Sequence, residues 1–87
     1  MPSGTYEVRF TRRAEKDIRK LTPHLKHKLY DILTEVLAQD PFQGKKLVGD
    51  LAGSYSYRLT YKDRIVYSID PKNRIVYIER AATHYGE

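Results

Sequence analysis

Apolar and polar residues alternate near the start of the chain, with Tyr6, Val8 and Phe10 on one parity and Glu7 and Arg9 on the other. A period of two over Thr5 to Phe10 predicts a short strand with one buried face. The pattern then changes. Ala14, Ile18 and Leu21 recur at i, i+4 and i+7, a narrow apolar stripe that predicts a helix, with Thr11 placed to cap it. Thr22-Pro23 supplies a second cap followed by proline at the first helical position, so a second helix restarts at once and the two form a hairpin. Leu25, Leu29, Ile32, Leu33, Val36 and Leu37 hold the helical period until Asp40-Pro41 stops it.

Phe42 to Gly53, with Gly44, Lys45, Lys46 and Gly49, reads as a glycine-punctuated basic connection. Strand patterns resume at Tyr55 to Tyr61, at Arg64 to Ile69 and, after a turn at Asp70-Pro71-Lys72-Asn73, at Arg74 to Ala82. The expected fold class is α+β: an N-terminal strand, a two-helix hairpin and a three-strand antiparallel meander forming one sheet, in a single domain over residues 1–87.

The register of the first meander hairpin decides where its arginines point. A three-residue loop at Tyr61-Lys62-Asp63 pairs Thr60 with Arg64 and gathers Tyr57, Leu59, Ile65 and Tyr67 on the core face. A two-residue turn would split those rows, which forfeits several kcal/mol of burial at roughly 25 cal/mol per Å². In the favoured register Arg58 and Arg64 share the outer face with Ser56, Thr60 and Ser68. Nothing else covers that face, and two guanidiniums without a carboxylate between them suit an anion. In the last strand, Ile75 and Tyr77 compete with Val76 and Ile78 for the core, so parity does not place Arg80.

Composition narrows the chemistry. Sixteen Lys plus Arg against eleven Asp plus Glu give a net charge of +5 over 87 residues. That balance favours phosphates or an acidic protein as partners. Eight Tyr offer faces for unstacked bases, although in so small a domain most belong to the core with a wet hydroxyl. The absence of Cys excludes disulfides, thiolate metal sites and a Cys nucleophile. With no apolar leader and no membrane-length run, the cytoplasm is the expected location. His24 and His27, three apart on a helix, offer two ligands without a third, so no metal and no cofactor are expected. His84-Tyr85, behind a strand rich in Tyr and Arg, suits acid–base chemistry on a polyanion; a merely solubilising tail is the alternative.

Leu51-Ala52-Gly53-Ser54-Tyr55-Ser56-Tyr57-Arg58-Leu59, Asp63-Arg64-Ile65-Val66-Tyr67 and Thr83-His84-Tyr85 together resemble the RelE/ParE superfamily of bacterial toxins, above all its RelE and YoeB branches. The resemblance spans essentially the whole chain. It implies the toxin of a type II toxin–antitoxin system, a metal-independent endoribonuclease that cleaves mRNA in the ribosomal A site by attack of the 2′-OH. By position, Arg64 corresponds to the arginine at the scissile phosphate, His84 to the proton-transfer histidine and Tyr85 to the terminal catalytic tyrosine. Arg58 adds a second cation, and Lys45, Lys46 and Arg80 are expected to contact RNA. The family's loop glutamate is missing, since the matching stretch reads Gly44-Lys45-Lys46-Leu47, which leaves His84, Lys45 and Lys46 as candidates for the proton transfers. Implied partners are the ribosome, mRNA and a cognate antitoxin, the pair binding its own promoter DNA. A ParE-like gyrase inhibitor lacking the His-Tyr ending and an inactive RNA-binding relative are the alternatives.

Overall fold

The computed structural model describes residues 5–83. Strand β1 (Glu7–Phe10) leads into helix α1 (Arg12–Arg19) and helix α2 (Pro23–Ile32), followed by β2 (Lys45–Lys46), β3 (Ser54–Arg58), β4 (Arg64–Asp70) and β5 (Ile75–Thr83). The sheet order is β1-β5-β4-β3-β2, with β1 parallel to β5 and every other neighbour antiparallel. This is the expected α+β arrangement, enlarged by one short strand. The basic connection contains β2, in which Lys45 pairs with Ser56 and Lys46 with Tyr55. Two residues are too few to show a period, which is why the pattern missed them.

Both caps form as the sequence indicates. The Thr11 hydroxyl oxygen accepts from the Ala14 amide and Thr22 from the Leu25 amide, each at 3.2 Å. Thr11 also donates to the Ile78 and Glu79 carbonyls, so the start of α1 is tied to β5 as well as capped. Helix α2 continues as a π-helical turn over Leu33–Leu37, closed by the Ala38 amide on the Leu33 carbonyl. Leu29, Leu33 and Leu37 are all buried. A four-residue repeat drifts around a 3.6-residue helix, and the wider turn brings Leu37 back over the core. Each such leucine contributes about 1.5–3 kcal/mol.

The core lies between the helices and one sheet face, where Leu59, Ile65, Tyr67, Val76 and Ile78 meet Ala14, Ile18 and the α2 leucines. The hairpin register keeps the expected parity but is shifted by two residues: Arg64 pairs with Arg58, not Thr60. Thr60 is drawn out of the ladder by its own turn, accepting from the Lys62 and Asp63 amides and donating to the Asp63 carboxylate. Strand β3 therefore ends at Arg58. Arg74, expected to open the last strand, instead ends the turn before it with φ 56°, its guanidinium 5.9 Å from the Tyr6 ring centroid.

Candidate nucleic-acid interface

Residues alternate across a strand, so Ser54, Ser56 and Arg58 on β3 project from the face opposite the helices. Their β4 partners Ser68, Val66 and Arg64 project with them. Directly opposed residues stand about 4.5–5.5 Å apart at Cα, and like charges so placed are unfavourable unless something lies between them. Among the described residues no carboxylate forms an ion pair with Arg58 or Arg64. The pair therefore forms a cationic centre that an anion would relieve.

This face is not bare, contrary to the sequence expectation. The connection after β2 folds back over it, and Leu47, Val48 and Leu51 wall a cleft of about 290 Å³. Lys45, Lys46, Ser56 and Arg64 line the same cleft, Lys45 on the face of its partner Ser56 and Lys46 at the opposite parity, paired with Tyr55. That cover accounts for Ser56, which is 2% exposed although it faces away from the helical core.

A buried tyrosine holds the lysine-bearing strand in place. The Tyr67 hydroxyl donates to the Pro41 carbonyl at 2.6 Å, and burial pushes its pKa well above the ordinary tyrosine value. Gly44 passes so close that a Cβ would collide with that hydroxyl and lie 2.8 Å from the Ser56 carbonyl oxygen. Tyr55 stacks on Tyr67, Phe42 meets Tyr55 edge-on and Tyr6 meets Phe42 edge-on. These rings form a packing chain, as the composition suggested. The glycine was visible in the sequence, but its purpose depends on a side chain 23 positions away that no local pattern links to it.

Arg80 stands apart from the cationic centre. Its Nε and Nη2 donate to Asp17 of α1 at 2.8 and 3.2 Å, and the Ala81 amide donates to the same carboxylate at 3.0 Å. Burial alone would raise the Asp17 pKa, but the Arg80 and Ala81 hydrogen bonds and the Arg80 charge outweigh it and hold the carboxyl below its ordinary value. The guanidinium expected at RNA is thus engaged in joining helix to sheet.

Strand β5 slips twice against β4 in this region: Tyr67 pairs with Ile78, Val66 with Arg80 and Arg64 with Thr83. Two extra residues on β5 act as bulges, which settles the ambiguous parity of the last strand and brings residue 83 opposite Arg64. His84 and Tyr85 lie outside the described residues. Of the expected site, Arg64, Lys45 and Lys46 line one cleft, Arg58 joins them only through its pairing with Arg64, and Arg80 is engaged elsewhere.

The model of the ParE-like toxin family of type II bacterial toxin–antitoxin systems matches residues 8–86. The chain belongs to this family. It is a toxin of a type II toxin–antitoxin system. Toxin RelG of Mycobacterium tuberculosis is 38% identical over 77 residues, 86% of each chain. In the toxin–antitoxin complex RelBE2 of the same organism, one chain superposes with a TM-score of 0.85 at 32% identity, covering 98% of this toxin and 97% of that chain. The YoeB/ParE toxin of Agrobacterium tumefaciens shares the fold at TM-score 0.80 and 22% identity, covering 91% and 99%. Among the toxin's described residues, no helix is long and apolar enough to cross a membrane.

Proposed function

We propose that this toxin is an endoribonuclease that cuts mRNA in the ribosomal A site. The observation that carries it is the Arg58–Arg64 pair, opposed on adjacent strands without a described carboxylate partner and adjoining the cleft of Lys45 and Lys46. The 2′-oxygen of the substrate attacks the adjacent phosphorus, the P–O5′ bond breaks, and a 2′,3′-cyclic phosphate and a 5′-hydroxyl result. Arg64 holds the scissile phosphate, and with Arg58 it stabilises the charge that builds on the equatorial oxygens. Lys45 and Lys46 draw in the RNA backbone.

Two protons must move, one off the 2′-OH and one onto the departing 5′-oxygen. His84, with an ordinary pKa near 6.5, suits either transfer near neutral pH, and it directly follows the residue paired with Arg64. A lysine at 45 or 46 serves the other, and Tyr85 orients the 2′-OH or stacks on a base. In-line alignment of the 2′-oxygen is supplied by the ribosome, which bends the codon. The site of action is the cytoplasm. Because the RelBE2 relative is a toxin–antitoxin complex, a cognate antitoxin partners this chain as well, its acidic or amphipathic segment covering the helices and the cationic face, and the pair binds its promoter DNA.

The test is a primer-extension map of a defined mRNA in a purified translation system, with and without ribosomes, for the wild type, Arg64→Ala and His84→Ala. Ribosome-dependent cuts within A-site codons, suppressed by both substitutions, are expected. An uncut message at high toxin concentration would sink the nuclease and bring forward gyrase inhibition, the reading favoured by the ParE-like description of the family, which a supercoiling assay then decides.

A further inference from the structure

The sheet face that carries Arg58 and Arg64 continues into a second polar patch with no part in the cleavage scheme. Ser54 pairs with Ser68 and Ser68 with Tyr77, so these three side chains share that face, about 13 Å along β3 from Arg58. Between that row and the arginines stands Glu79. Its Oε1 accepts from the Ser54 hydroxyl at 2.9 Å across β4, in a partly buried setting. Its backbone is fixed as well, since the Glu79 carbonyl accepts from the Thr11 cap of α1 at 3.1 Å and the residue sits in the first slip between β4 and β5.

A carboxylate here works against a polyanion. In a chain of net charge +5, on the face offered to RNA, no Arg or Lys among the described residues neutralises it. Glu79 does not line the cleft where Lys45, Lys46 and Arg64 converge, so it stands beside the phosphate centre and not in it. An ionised carboxylate is acceptor-only, with two oxygens spaced for two neighbouring donors. A serine hydroxyl occupies one lone pair and sets the orientation, leaving the rest for a ligand.

We infer that Glu79, oriented by Ser54, reads the Watson–Crick edge of a guanine next to the scissile phosphate and makes this toxin prefer guanine-containing codons. Guanine presents two adjacent donors, N1–H and N2–H, to a carboxylate. Adenine and cytosine each present one donor beside an acceptor, and uracil one donor between two acceptors. Those acceptors would face the carboxylate across a partly desolvated gap, which is repulsive. A bidentate side chain–base pair discriminates by roughly 5- to 150-fold.

This inference rests on the nuclease reading, and two measurements separate the two. In ribosomes programmed with A-site codons that differ by guanine or inosine at one position, inosine lacking the N2 amine, the wild type is expected to cut the guanine codon faster. In Glu79→Gln and Ser54→Ala that rate ratio should collapse towards one. A ratio unchanged in Glu79→Gln overturns the inference, as does a uniform fall at every codon, which would make Glu79 a proton-transfer group. If the wild type cuts nothing, the nuclease fails on its own. Binding of fluorescent guanosine and inosine trinucleotides to the same proteins then decides, with guanosine favoured only when Glu79 is present, and equal binding by the wild type overturning the inference.

Discussion

The Tyr67 hydroxyl donates to the Pro41 carbonyl at 2.6 Å, joining the middle of the sheet to the segment that enters the lysine-bearing strand. Tyr67 is fully buried, so removing its hydroxyl strands the carbonyl without a partner. Tyr67→Phe is expected to lower stability by about 1–3 kcal/mol. Urea denaturation checks this; a midpoint equal to that of the wild type would show that the bond contributes nothing.

Gly44 is required for space and not for backbone conformation, since its φ of −70° is open to any residue. Gly44→Ala should therefore destabilise by about 1–3 kcal/mol through overpacking against Tyr67 and Ser56. The effects of Gly44→Ala and Tyr67→Phe should be non-additive, because removing the hydroxyl clears part of the space the methyl needs. Strict additivity in a double-mutant cycle would argue against the clash.

Asp17 joins α1 to β5 through Arg80 and the Ala81 amide, and its pKa in the fold lies below the ordinary carboxylate value near 3.8. A depressed pKa means the fold prefers the ionised form, so its stabilisation is complete above about pH 5 and is lost as pH falls through the folded value. Asp17→Asn should cost roughly 1.5–3 kcal/mol at neutral pH. The gap to the wild type should narrow below about pH 4, as thermal melts across pH would record, a kcal/mol moving Tm by about 4–8 °C in a domain this small. A gap independent of pH would contradict the ion pair.

Arg64 and the two lysines should fail in different ways. Arg64→Lys keeps the charge but loses the planar fork, and cleavage should drop at least tenfold with little change in RNA affinity. Lys45→Ala with Lys46→Ala should instead weaken binding and reduce the salt dependence by about 0.7 in log–log slope for each lost phosphate contact. Single-turnover cleavage and binding titrations over a salt series distinguish the two patterns.

Much of this was legible in the sequence because it depends on local periods. The alternation at Tyr6, Val8 and Phe10, the caps at Thr11 and Thr22 and the shared face of Arg58 and Arg64 all follow from parity or spacing within one element or one hairpin. The two-residue register error left that face intact because side-chain direction repeats every two residues.

What only the tertiary structure decided depends on contacts between distant positions. Strand β2 is visible through its pairing with β3, and the place of Gly44 through Tyr67. Arg80 and Glu79 are adjacent in sequence, yet one joins Asp17 beneath the sheet and the other Ser54 above it. The bulges in β5 break the alternation at that point, and a parity rule carries no information across a bulge. Sequence by itself determined the types of the longer elements, the cationic face and the family resemblance, because these are written in nearest-neighbour patterns. The register of β5, the cover over the arginine face and the partners of its charged residues had to come from packing, since each is settled by residues dozens of positions apart competing for the same space.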